Sequence, residues 1–457
     1  MPRPWTAPGQ RSTRTLTNRR RRATATVVLA AALAAPAACG GGGASRPPST
    51  AVPFVQVDPA SRSSTDRAIA AAQDKLRKDL ADDGARLELA NAFLQKARER
   101  ADPTLYSRAD TLLATLADRQ PRDHRVLVSR AVLALARHEF RDALKLAEAA
   151  EAAAPGDAGP LGVLVDSLNE LGRPEEALEA TQRMVDAKPN LASFTRASYA
   201  RELRGDLGGA AVAMQQAVIA GSGEAPENRA FAQVQLGTLL LTSGDLPGAD
   251  AAYRAALTTF PGSAAARAGQ AKVLVARDRP GEAADLLAQV VQDQPLAEYA
   301  ISLGEALEGA GRPAEAATAY ERVDAIQSLY KANGVNVDLE LALFAANRRP
   351  GKAALAQARR GFEDNPSLFG HDVVAWNLFK VGEHDAAAKA SALALRLGSR
   401  EPSQRHHAAA IALARGDRSA AADQLRVVLD TNPRYSAAAV DEVELLARDL
   451  GLPVPPP

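Results

Sequence analysis

Ala230 to Pro261 reads AFAQVQLGTLLLTSGDLPGADAAYRAALTTFP, and this stretch decides the fold. An apolar run ends at Ser243-Gly244-Asp245, an alanine-rich run follows, and Pro261 closes it. Gly and Asp are turn formers, because one tolerates positive φ and the other hydrogen-bonds its own backbone. Ala carries the highest helix propensity. Pro cannot continue a helix, since it lacks the N–H and clashes with the preceding turn. The stretch therefore predicts helix, turn and helix.

The turn phrase recurs on both sides. LGRPEEAL begins at Leu171, RGDLGGAA at Arg204, SGDLPGAD at Ser243, AGRPAEAA at Ala310, RRPGKAAL at Arg348, VGEHDAAA at Val381 and RGDRSAAA at Arg415. RHEFRDAL from Arg137 and RDRPGEAA from Arg277 are looser versions. Aligned on one alanine, the phrases give Ala143, Ala177, Ala210, Ala249, Ala283, Ala316, Ala354, Ala387 and Ala421, with gaps of 34, 33, 39, 34, 33, 38, 33 and 34 residues. A helical bundle would show a 3.6-residue period but no such fixed phase, whereas stacked helix pairs require one.

In this register the chain resembles the tetratricopeptide-repeat family. Leu236-Gly237 in the first helix, Ala249, Tyr253 and Ala256 in the second, and the closing Pro261 carry the likeness. Pro155, Pro189, Pro295, Pro366 and Pro433 occupy the same closing position elsewhere. The resemblance runs from about Gly84 to Pro433 and implies an all-α fold, a right-handed α-solenoid of about ten helix-turn-helix repeats. Gly or Ala at Ala131, Gly237, Ala271 and Gly304 is expected to face the key alanine so that the paired helices approach closely. Tyr253, Tyr320, Leu287 and Leu425 are expected to fill the seam to the next pair. Gly221 to Glu227 and Asp324 to Asn336 break the register and read as hinges or tolerated surface loops.

Composition agrees with an all-α chain: aromatic residues are 4% of the 457. The formal charge of +1 hides an asymmetry. Seven arginines precede residue 39, and without them 48 basic residues face 54 acidic ones, about −6. An acidic body argues against nucleic acid, which demands a basic face. The single cysteine, Cys39, leaves no disulfide framework. Arg19 to Arg22, the sixteen uncharged residues Ala23 to Ala38, and the small residues before Cys39 read as a secretory signal. As a helix the apolar stretch would span roughly 24 Å, short of the ~30 Å hydrocarbon core. Ala37-Ala38-Cys39-Gly40 resembles the lipobox of bacterial lipoproteins, which implies acylation of Cys39, although Pro36 stands where an aliphatic residue is usual. Cleavage after Ala37, giving a free secreted protein, is the alternative.

The expected organisation is a signal peptide at 1–38, a disordered tether at 39–62 and repeat blocks at 63–222, 228–325 and 326–435, with a capping helix and Pro-rich tail at 436–457. The chain would then be an extracytoplasmic, lipid-anchored scaffold in the cell envelope that binds protein partners. In the family the first helix of each pair lines the concave groove. Carried over, this selects Asp166, Asn169, Arg196, Tyr199, Glu202, Thr238, Lys272, Glu305, Glu340, Asp372, Trp376, Lys380, His406 and His407. Trp376, Tyr199 and Arg196 are the expected anchors, since Trp, Tyr and Arg dominate binding hot spots; Trp376 could equally be buried in a seam between helices. Glu202, Glu305 and Glu340 suit a basic or mixed peptide, or an ordinary solvated face. No small-molecule substrate, cofactor or metal is implied. His138-Glu139 begins like the zinc motif H-E-x-x-H, but Asp142 replaces its second ligand. His406 and His407 point about 100° apart on a helix, so a metal-dependent enzyme built on them is the weakest reading.

Overall fold

A computed structural model describes residues 52–57, 63–223 and 225–456, all within one compact unit. The described residues form twenty-two α-helices and no strand. The lone helix α1 (Ser64–Lys78) comes first. Five pairs follow: α2 (Asp83–Arg100) with α3 (Thr104–Arg119), α4 (His124–Ala136) with α5 (Phe140–Ala153), α6 (Ala158–Glu170) with α7 (Pro174–Ala187), α8 (Leu191–Glu202) with α9 (Leu207–Ala220), and α10 (Pro226–Thr242) with α11 (Leu246–Thr259). Five more are α12 (Ala264–Ala276) with α13 (Pro280–Asp293), α14 (Ala297–Gly309) with α15 (Pro313–Ala332), α16 (Asp338–Arg348) with α17 (Lys352–Asp364), α18 (Leu368–Lys380) with α19 (His384–Ala394), and α20 (Pro402–Ala414) with α21 (Arg418–Asp430). A last lone helix, α22 (Val440–Leu450), packs on α21. Signal-peptide residues and Cys39 lie outside the described residues.

Two chemistries make the turn inside a pair. In the Gly-Asp turns the aspartate caps the second helix: Asp206 accepts from Gly209 N at 2.8 Å, and Asp245 from Gly248 N at 2.9 Å. In the Gly-Arg-Pro turns proline takes the first helical turn, where its missing N–H is harmless. There arginine forks onto the glutamate three residues on, Arg173 on Glu176 at 2.7 Å and Arg312 on Glu315 at 2.8 Å.

All nine aligned alanines are buried, none more than 4% exposed. That burial is what fixes the 34-residue phase. The glycines of the first helices work differently from the expectation above. A Cβ on Gly237 would lie 2.6 Å from the Tyr253 ring, one on Gly269 2.2 Å, and one on Gly304 2.1 Å from the Tyr320 ring. They make room for the seam tyrosine rather than for the alanine. Tyr253 sits fully buried between Gly237 of its own pair and Gly269 of the next.

For most successive pairs the first helices approach one another, as the second helices do not. A stack with that asymmetry curves with its even-numbered helices inside. The curvature is tight enough for the array to meet itself. Gln294 Nε2 donates to Glu99 O at 2.6 Å, 195 residues away, and Tyr330 Oη to Ala101 O at 3.3 Å, 229 away. Asn365 Nδ2 donates to Glu170 Oε2 at 2.9 Å, and Arg396 Nη2 to Gly172 O at 3.1 Å. The separations correspond to roughly six 34-residue repeats per superhelical turn.

Both register breaks lie on this seam. Gly221–Gly223 is a short 3-10 turn, and Glu227 just beyond it accepts from Gln95 Nε2 at 2.5 Å. Asp324 to Asn336 is mostly an extension of α15 to 20 residues, which carries Tyr330 to Ala101 and lets Asn336 N donate to Arg137 O at 3.2 Å. These are docking devices between superhelical turns, not hinges or free loops. Part of the expected tether is also docked: Val55 exchanges hydrogen bonds of 2.6 and 3.0 Å with the buried Gln73, and Val52, Val55 and Val57 pack on the core of the first helices.

Candidate partner-binding groove

Every candidate groove residue lies on an even-numbered helix, the inner layer of the curve. Their surroundings divide them sharply. Arg196 is spent on structure: its guanidinium holds Asp166 at 2.5 and 2.9 Å and donates to Gly162 O and Ala192 O, clamping α6 to α8. Thr238 hydrogen-bonds Tyr253 Oη at 3.2 Å. Asn169 is half-buried.

The expected anchor Trp376 is a seam residue, 2% exposed. Its ring stacks on His407 at 4.0 Å, Nε1 donates to Asn347 Oδ1 at 2.7 Å, and Lys380 Nζ stands 4.3 Å from the ring centroid. Asp372 and His407 are equally enclosed and pair with each other at 3.0 Å. His406 turns the other way, to Tyr435 Oη at 2.8 Å. Asp372, Trp376 and His407 therefore lock α18 to α20, and each is almost wholly enclosed. The indole is held by packing on one side and hydrogen bonding on the other, which suits a seam better than a rim. Among the described residues no three His, Cys, Asp or Glu side chains gather as a metal-binding group.

Of the remaining candidates, Tyr199, Glu202 and Glu305 feel the enclosure of the interior. Tyr199 keeps 41% of its surface open to solvent, yet burial pushes its phenol well above the ordinary range. The two facts agree if the ring faces water inside the curve, walled by protein. Burial likewise lifts Glu202 to about 7, with Glu401 adding repulsion. Glu170 is lifted to about 7 by burial, with Asp166 and Glu340 adding to it against the Asn365 hydrogen bond. Glu305 and Glu401 are pushed up by burial too. Lys272, exposed on α12, acts on both of these from across the interior. Glu340 is exposed on α16.

Sequence reasoning missed Glu170, Glu401 and Tyr435. Glu170 had a signal, since it stands four residues after Asp166 on the same helix face. Glu401 precedes the proline that starts α20 and lies outside the aligned helix positions. Tyr435 belongs to no repeat, so no phase could place it.

Residues 129–192 and 240–307 each match the family Tetratricopeptide repeat. Together with the phased helix pairs, this defines the class: an α-solenoid of helical repeats. Those two stretches are tetratricopeptide repeats, about three-tenths of the chain. It is similar to a thermophilic tetratricopeptide-repeat protein of Thermus thermophilus, with 21% identity over 42% of this chain and 99% of that one, TM-score 0.37. It is also similar to pilF of Pseudomonas aeruginosa, with 15% identity over 45% and 96%, TM-score 0.36, and to MamA, with 17% over 43% and 94%, TM-score 0.25. No curated protein matches the chain.

Proposed function

We propose that the chain is an exported, lipid-anchored scaffold of the bacterial cell envelope, and that it holds an extended basic segment of a protein partner against its inner helices. Tetratricopeptide repeats generally bind protein or peptide partners, and they generally serve as non-catalytic scaffolds. The observation that carries the basic partner is the set of inner carboxylates Glu170, Glu202, Glu305 and Glu401, lifted by burial and only thinly matched by Lys272. A carboxylate kept from ionising by its surroundings gains most from an incoming cation. Docking a cationic segment should therefore release protons near neutral pH and weaken with salt. Isothermal titration of an arginine-rich peptide in two buffers of different ionisation enthalpy tests this. Equal heats in both, or binding indifferent to salt, would count against a charged groove.

The anchor rests on the N-terminal reading: a basic run, a short apolar stretch and Cys39. Cys39→Ala should release the protein to the soluble fraction and abolish acyl labelling. Unchanged fractionation with a mature N-terminus at Ala38 would favour the free secreted form.

A further inference from the structure

The C-terminal segment leaves the repeat pattern after α21, crosses the inner face and touches α14 before α22 begins. Ser436 Oγ donates to Glu305 at 2.9 Å, and Tyr435 Oη bonds His406 Nδ1 at 2.8 Å. Together with α14, α16, α18 and α20 it closes a cleft of about 430 Å³. No repeat-to-repeat groove needs this wall.

The charges in the cleft are unevenly matched. Arg348 neutralises Glu308, with Nη1 to Oε1 at 2.7 Å. Lys380 lies over Trp376 and reaches Glu442 at 3.8 Å. Among the described residues no lysine or arginine pairs directly with Glu305, whose hydrogen bond is to the neutral Ser436; Arg348 and Lys272 act on it only from a distance. His406 is 2% exposed and its Nδ1 is engaged, while its Nε2 stands 3.8 Å from Glu442 Oε2, another residue of the cleft wall and beyond hydrogen-bond distance. A buried imidazole beyond hydrogen-bond distance of Glu442, in one cleft with a Glu305 carboxylate that bonds only a hydroxyl, leaves polar capacity for an incoming donor.

The geometry points to a specificity pocket: this cleft receives the cationic end of one lysine or arginine side chain of the partner segment, held by Glu305 and Glu442. An ammonium or guanidinium supplies donors to both carboxylates and to the His406 nitrogen when that atom is an acceptor. The cleft volume admits a long side chain and excludes a folded domain. The pocket deepens the basic-partner reading above and rests on it.

Fluorescein-labelled peptides sharing two flanking arginines and differing at one central residue (lysine, arginine, norleucine or glutamate) test the pocket by anisotropy with the full chain. Lysine or arginine should bind about tenfold tighter than norleucine, the weight of one charge-assisted hydrogen bond. Glu305→Gln with Glu442→Gln should shrink that preference below about twofold, the loss expected when both charged acceptors are gone. Glu321→Gln, exposed on the outer helix α15, should leave it intact. Glu442→Gln alone, on a side chain 53% exposed, keeps the question answerable if the double variant melts early. Equal affinity for norleucine, or a preference surviving in the Gln variants, overturns the pocket while sparing the groove. No binding by any arginine-flanked peptide overturns both.

Discussion

Gly172 and Gly311 sit in turns of nearly the same sequence, Leu-Gly-Arg-Pro and Ala-Gly-Arg-Pro, with φ of 70° and 71° and the same arginine–glutamate fork. Their surroundings differ entirely. A Cβ on Gly172 would lie 2.4 Å from Pro366 O, on the next superhelical turn; one on Gly311 would meet nothing within 4 Å. Local sequence therefore builds the pair, and long-range stacking decides what the turn is for. Only the first glycine is required twice, for its backbone angle and for the space it leaves.

The comparison breaks most directly by adding that Cβ. Gly172→Ala should cost about 2–4 kcal/mol, combining left-handed strain with overpacking against rigid backbone. Gly311→Ala should cost about 1 kcal/mol, from strain alone. Urea denaturation of both variants measures the gap. Equal costs would mean that the turns of the superhelix do not press on each other at Gly172.

Proton titration gives the next effect in size. Glu170 accepts the inter-turn bond from Asn365, and its carboxyl is pushed up to about 7 by burial. Because its folded value lies above the ordinary 4.5, the folded state holds the proton more tightly than the unfolded one. The group therefore favours folding below about pH 4.5, and that stability is lost as pH rises through 7. Glu202 behaves in the same sense. After allowance for solvent screening, unfolding free energy should fall by about 1–2 kcal/mol from pH 5 to pH 7.5. Glu170→Gln should flatten much of that slope. A profile unchanged in the variant would mean that Glu170 is wet and free.

How much of this was readable in advance follows from the same contrast. The pair geometry was legible, because Ala249 and its eight counterparts recur with helical phase and leave their trace at a fixed interval. The superhelical seam was not, because Gly172 meeting Pro366 or Gln294 meeting Glu99 depends on accumulated curvature over six repeats, which no local residue encodes. The register breaks were visible as breaks, yet their purpose was hidden for that reason. Trp376 shows the limit on the groove side. Position on a first helix places a residue toward the interior, but whether it meets water or His407 depends on how closely neighbouring first helices converge. Burial raises Glu170 and Glu202 for a reason equally invisible to sequence, since groups beside them, Asn365 at Glu170 and Glu401 near Glu202, come from far along the chain.

A single hydroxyl tests the seam more gently. Tyr330→Phe removes the bond to Ala101 O while keeping the ring, and should cost about 1 kcal/mol, the ordinary worth of one hydrogen bond. The same change at Tyr253, whose hydroxyl meets Thr238 within one pair, should cost a similar amount. The two should differ in range: amide exchange should quicken near both Ala101 and α15 for Tyr330→Phe, but only within α10 and α11 for Tyr253→Phe. Exchange confined to α15 in the first variant would show that its hydroxyl does not tie the superhelical turns together.

The smallest effect reverses sign. Asp278 takes the place of the turn glycine in the looser phrase from Arg277, and its φ is 57°. Aspartate tolerates that region better than most residues but still bears part of the left-handed penalty of about 1–2 kcal/mol. Glycine would remove the strain while enlarging the freedom of the unfolded chain, which returns roughly half of the gain. Asp278→Gly should therefore stabilise by about 0.5 kcal/mol, a rise of about half a degree in melting temperature for a chain of this size. Asp278 is exposed with φ of 57°, so its backbone angle is the property that glycine changes. A loss of stability instead would mean that the aspartate side chain does work at this turn that its backbone angle does not reveal.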